Sequence, residues 1–182
     1  MKLYRILNIV GISVIALLSV RASLARAQSG SSVQASSDDK HFVTAALRGG
    51  MAEVDLGKLA AEKGNSEDVK QFGQKMVTDH TRLGDQMKDV AQQIGVTPPT
   101  VLSASDLALM AKLKVLSGND FDKAYIRAMV KDHEVDLADF HKEIVGGASP
   151  VVTDAAREGA KVIQKHLDMI RKIAQTNNVA SN

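Results

Sequence analysis

The chain has 182 residues, with 23 Lys and Arg against 21 Asp and Glu, no Cys, no Trp, 3 Pro and 3% aromatic residues. Residues 1–27 hold Lys2, Arg5, Arg21 and Arg26 and no acidic side chain, so without them 19 basic face 21 acidic residues, a net charge of −2 on 155 residues. The basic surplus belongs to the leader, which excludes reading it as nucleic-acid binding, and a remainder of this length folds as one domain without a metal or disulfide.

Met1–Arg5 is a short positive segment, and Ile6–Val20 is a mostly apolar run. Ala25-Arg26-Ala27 then places small residues where a signal peptidase cuts, so residues 1–27 are predicted to be a signal peptide cleaved after Ala27. The 15 residues of the apolar run, at about 1.5 Å each, fall short of a hydrocarbon core of about 30 Å. The expected product is periplasmic or secreted, with no membrane span after cleavage. An uncleaved N-terminal anchor, or association with the outer membrane, is the alternative. Residues 28–38, which include QSGSSVQASS, read as a disordered Ser-rich linker.

From Asp38 onward apolar residues recur at steps of three and four, which predicts helices over about 39–63, 67–94, 104–116, 120–145 and 150–176, then a disordered tail over 177–182. Ser66, Ser103 with Asp106, and Ser149 ahead of Pro150 supply the N-terminal signals. Gly64-Asn65, Gly95 and Gly146-Gly147 supply the stops. The fold predicted for residues 39–176 is all-α: an antiparallel four-helix bundle with a short extra helix between its second and third long helices. Gly49 is expected to permit close helix approach. The aromatics Phe42, Phe72, Phe121, Tyr125 and Phe140 look scattered, so the core should be aliphatic and rich in Ala and Met.

Each long helix carries one ionisable residue on its apolar stripe. The stripe Val69, Phe72, Met76, His80, Leu83, Met87 turns His80 inward, and Ile126, Met129, His133, Leu137, Phe140 does the same for His133. Gly159, Ile163, His166, Ile170 and Ala46, Gly49, Glu53, Leu56 place His166 and Glu53 likewise. All four lie within a turn or two of one level, so their side chains are predicted to converge. Asp79 and Asp132, about 100° round from their histidine neighbours, are expected to reach helix ends or cations such as Arg127. His41 and His141 are expected to be exposed.

Met76-Val77-Thr78-Asp79-His80 recurs as Met129-Val130-Lys131-Asp132-His133, an echo that makes the two helices equivalent halves of a repeat. Phe42-Val43, Gly49-Gly50-Met51-Ala52-Glu53-Val54, Val69-Lys70-x-Phe72 and Met76-Val77-x-Asp79-His80 resemble a bacterial family called domain of unknown function 4142. So do Gly118-x-x-Phe121-Asp122-x-x-Tyr125 and Lys131-Asp132-His133, and the match spans about residues 40–175. The resemblance implies a ferritin-like bundle, exported and often described as a membrane or outer-membrane protein. It implies no established reaction.

A ferritin-like di-iron site needs two Glu-x-x-His pairs, but Val77, Val130 and Ile163 stand where the glutamates belong. Three imidazoles and one carboxylate (Glu53, His80, His133, His166) suit instead a single Zn or Cu ion. In a softer variant Met76, Met129 and Met169 join the imidazoles around Cu(I). Against both stands a metal-free cluster in which the carboxylate and the imidazoles satisfy one another. No nucleophile constellation or phosphate loop is present, and the expectation is not an enzyme. The leading reading is a non-catalytic exported protein that supports the envelope or a stress response through contacts with an unnamed protein partner. Metal binding is the second, and oxidoreductase chemistry at such a site requires an open coordination position. Buried neutral imidazoles are expected to lower stability as pH falls through about 6.

Overall fold

The computed structural model describes residues 34–179, so the expected signal peptide and the linker up to residue 33 lie outside the described residues. Five helices follow: α1 (Ser37–Lys63), α2 (Glu67–Gln93), α3 (Ala104–Lys114), α4 (Gly118–Gly146) and α5 (Pro150–Thr176). None of them is long and apolar enough to cross a membrane.

The helix ends follow local chemistry, and three departures from the sequence reading have named contacts behind them. The first helix starts two residues early, because Ser36 Oγ accepts the Asp39 N–H at 3.0 Å while Asp39 Oδ2 accepts the Ser36 N–H at 2.6 Å. This capping box takes Ser36, Ser37 and Asp38 out of the expected linker. The second departure is at Ser149, which sits at the N-cap of α5 but makes no side-chain cap bond. Its backbone N–H, and that of Ala148, donate instead to the buried Asp39 Oδ1 at 3.4 and 2.9 Å. One carboxylate thereby ties the start of α1 to the α4–α5 turn. The third is the tail, expected to be disordered from 177. Asn178 takes a left-handed φ of 51° and the Val179 N–H reaches the Ala174 carbonyl at 2.9 Å. That Schellman turn folds Val179 into the core.

Helix α1 packs on α2 and α4 on α5, with further contacts of α2 to α5 and of α1 to α4. One core cluster joins Leu56 and Leu59 from late α1, Phe72 from early α2, Phe121 and Tyr125 from early α4, and Ile170 from late α5. So α2 and α4 run the same way, and α1 and α5 run opposite to both: every packed pair among the four is antiparallel. The aromatics are not scattered. Phe121 and Tyr125 stack at 5.9 Å, and Phe72 meets Tyr125 edge-on at 6.3 Å. A smaller cluster with Val43, Leu47, Met87, Val90 and Val152 fills the opposite end of the bundle.

The close helix approach is not at Gly49, where an added Cβ would meet nothing within 4 Å. It falls at Gly57 and Gly73, where a Cβ on either would come within 2.8 or 2.6 Å of the other's carbonyl oxygen. Only glycine lets the α1 and α2 backbones touch there.

Candidate functional site

Glu53 and His166 are each the residue sixteen places after the start of a 27-residue helix, α1 and α5 respectively. His80 and His133 come from the parallel pair α2 and α4. With the helices packed in this way, the 3.6-residue period delivers all four to the bundle interior, where each is at most 4% exposed. The imidazole centroids lie 5.1 Å (His80–His166), 5.7 Å (His133–His166) and 5.8 Å (His80–His133) apart. Phe72 sets its ring against His133 and His166 at 6.3 and 5.9 Å and closes the cluster on the side of the larger core.

Half of the cluster is a chain of hydrogen bonds. His80 Nδ1 donates to Glu53 Oε2 at 2.8 Å, His80 Nε2 and His166 Nδ1 share a bond of 3.1 Å, and His166 Nε2 donates to Asp79 Oδ2 at 2.8 Å. Lys75 Nζ completes it, 2.9 Å from Asp79 Oδ2. Three such bonds between two ionised carboxylates require three protons on two rings, one more than two neutral imidazoles carry. The His80–His166 pair therefore holds one net positive charge. The carboxylates are ionised as this demands. Burial works against Glu53, but the His80 charge and hydrogen bond overcome it and hold its pKa down to about 2. Asp79 is lowered despite burial by its bonds to His166 and Lys75. His80 is raised because Glu53 outweighs burial, while burial lowers His166 in spite of Asp79.

The other half is unfinished. His133 is fully buried and neither of its ring nitrogens has a hydrogen-bond partner; Glu53 Oε1, 3.6 Å from Nε2, has none either. Burial brings the His133 pKa down to about 4, so the ring is neutral with a free lone pair. Half-buried Asp132, its neighbour, is pushed up to about 7 by burial and then by the charges of Glu53 and Asp106.

Two expectations change here. Glu53 is a hydrogen-bond partner of His80 through Oε2, and only its second oxygen is left unpartnered. Asp79, expected to reach a helix end or a cation, orients His166 as well as pairing with Lys75. Its place 100° off the stripe hid this, although the interhelical groove is open to a side chain at that angle. Met76 and Met129 are fully buried in the larger core, Met169 packs against it, and His41 and His141 are exposed. A cleft of about 310 Å³ opens the Glu53–His80 end towards solvent, lined also by Gly49, Gly84, Phe140 and Asp136. Asp136 is half-buried there and pushed up to about 9 by burial and neighbouring carboxylates. Two sets of candidate ligand atoms lie within 4.8 Å of one another: those of His80, His133 and His166, and those of Glu53, Asp132 and His133.

A helical bundle with a buried polar cluster defines the class. The chain belongs to the family described as domain of unknown function (DUF4142), whose model matches residues 24–173. No curated protein matches the sequence. Among solved structures, a DUF305 fragment from Deinococcus radiodurans is similar at 17% identity and a TM-score of 0.70, over 78% of this chain and 98% of its own. A DUF305 protein from Streptomyces coelicolor is similar at 12% identity and 0.68, over 80% and 95%. CopM, in a structure described as its Cu(I)-bound form, is similar at 19% identity and 0.65, over 76% and 96%. These likenesses establish a shared helical-bundle fold.

Proposed function

We propose that this is an exported metal-binding protein that holds one copper or zinc ion in the bundle core through His80, His133 and His166. The observation that carries the reading is the fully buried, neutral His133, neither of whose ring nitrogens has a hydrogen-bond partner beside the bonded His80–His166 chain. A buried acceptor left unpaired costs about 1–3 kcal/mol, and a cation would recover it.

The rest of the donor set fits. His80 Nε2 and His166 Nδ1 are 3.1 Å apart, close to the roughly 3.3 Å between two nitrogens of one tetrahedral site with bonds of about 2.0–2.1 Å. Glu53 and Asp79 accept from the far nitrogens of those rings, as carboxylates commonly do behind metal-bound histidines. Binding an ion would displace the proton shared between the rings, so affinity should fall with pH. Copper is the first ion to test, because a protein of similar fold is described in a Cu(I)-bound form. Export and the absence of a reaction belong to the same proposal. Docking of a protein partner is the second reading, favoured by the exposed Val101, Leu107 and Val115 around α3.

Elemental analysis of untagged protein, with His133→Leu beside it, tests the proposal. Stoichiometric copper or zinc in the parent and its loss in the variant are expected. Equal trace metal in both would rule the ion out and leave the partner reading.

A further inference from the structure

Two of the unpartnered atoms of the cluster, His133 Nε2 and Glu53 Oε1, do not face the hydrogen-bonded chain alone. Together with the Asp132 carboxylate they form a second compact set, with one ligand atom from each residue and all within 4.8 Å. Tyr125, on the same face of α4 two turns earlier, brings a further buried polar atom without a partner, its hydroxyl. That hydroxyl lies near enough to Glu53 and Asp132 for their charges to add to the effect of burial in pushing its pKa up.

This second set has a different chemical character. It offers two carboxylates and one imidazole, where the first offers three imidazoles. Carboxylates are hard oxygen donors that suit manganese-like ions, which hold water readily in their remaining positions, whereas imidazole alone favours copper and zinc. Water has a route to it. Asp132 is half-buried and lines the shallow cleft between α3 and α4 together with Asp106 and Leu109. Among the described residues no Lys or Arg pairs with these carboxylates. The ion pairs of the described residues involve neither Asp132 nor Asp106, and Glu53 pairs only with His80 and, at 3.6 Å, with the uncharged His133.

We infer that Glu53, Asp132 and His133 form a second cation position, for a hard divalent ion such as Mn²⁺, on the α4 side of the cluster and open to solvent past α3. It shares His133 with the copper or zinc position but needs neither His80 nor His166 as a ligand. The inference therefore does not rest on the first reading: a protein that takes up manganese but no copper would sink that one and leave this.

The test titrates the metal-free full chain with Mn²⁺ and follows loss of the free-ion signal by electron paramagnetic resonance. The parent should bind one equivalent. Asp132→Asn, nearly isosteric at a half-exposed position, should weaken binding by roughly tenfold or more, while His166→Gln should hold it within about threefold, the effects expected of a ligand and of a residue outside the set. Circular dichroism verifies that both variants are folded. A free-ion signal unchanged by the parent protein overturns the inference, and so does a folded Asp132→Asn that binds as the parent does.

Discussion

The echo Asp79-His80 and Asp132-His133 places the same two residues at matching heights on two parallel helices, yet the two copies end in opposite states. Asp79 is ionised and bonded to His166 at 2.8 Å, while Asp132 is pushed up to about 7 by burial and by the neighbouring Glu53 and Asp106 charges. His80 carries part of a positive charge; His133 is neutral and unpartnered. The cause lies on the other two helices. A two-fold relation that exchanges α2 with α4 also exchanges α1 with α5, and at the seventeenth residue of each stands Glu53 in one and His166 in the other. One aspartate meets an imidazole and the other meets a carboxylate. A single residue type at one position thus turns one copy of a motif into a closed chain and the other into an open one.

The largest way to break this asymmetry is Glu53→Ala. It leaves the shared imidazolium without its carboxylate, and the loss of one partner of a buried ion pair costs about 3–5 kcal/mol. Urea unfolding at pH 7 should show that drop, and nuclear magnetic resonance titration should show Asp132 returning towards an ordinary carboxylate pKa.

Acid comes next. His133 is held at about 4 in the fold against 6.5 in the unfolded chain. The unfolded state then binds more protons below pH 6.5, so stability present above that value is lost as pH falls towards 4, by up to about 3 kcal/mol. His166 acts in the same direction. His80 acts in the other, because its pKa is raised: its contribution is complete below 6.5 and disappears as pH rises through its folded value. The simple expectation of acid loss from every buried imidazole thus holds for two of the three. His133→Leu should flatten the acid limb of the stability curve, leave the alkaline limb, and cost less than about 1 kcal/mol at pH 7, since it removes an unsatisfied group. Unfolding midpoints between pH 4.5 and 8 decide this.

The contrast between the aspartates themselves comes last, and at Asp132 it includes the smallest effect. Asp79→Ala deletes hydrogen bonds between charged partners and should cost about 1.5–3 kcal/mol, whereas Asp132→Ala in the metal-free protein should cost almost nothing or stabilise. Equal losses for both would show that the two copies are not distinguished as described.

Much of this was legible in the sequence, because a period of 3.6 is enough to decide which side of a helix meets the core. Glu53, His80, His133 and His166 were placed together by stripe alone. The stripe could not say how the four would share protons, since that depends on contacts 86 or 87 residues apart in the chain, such as His80 with His166 and His166 with Asp79. It also missed Asp39, which is a helix-capping residue and at the same time the anchor of a turn 109 residues away. Capping chemistry at Ser36 was readable from the Ser-x-x-Asp spacing; the surrounding serines made that stretch look like linker. The aromatic cluster was hidden in the same way, since Phe72 and Tyr125 meet only once two helices have been placed.

The contact of Gly57 with Gly73 bears on how rigid the centre can be. With backbones already touching, α1 and α2 cannot move closer at that point, and the remaining freedom is a scissoring about it. Glu53 lies about 6 Å along one arm and His80 about 10 Å along the other, at about 1.5 Å per residue. A few degrees of scissoring therefore shifts their bond by a sizeable fraction of an ångström, enough to make or release it. A methyl group at Gly73 would wedge the pivot apart, and the acid and the ring would lose their grip on one another without either having been altered.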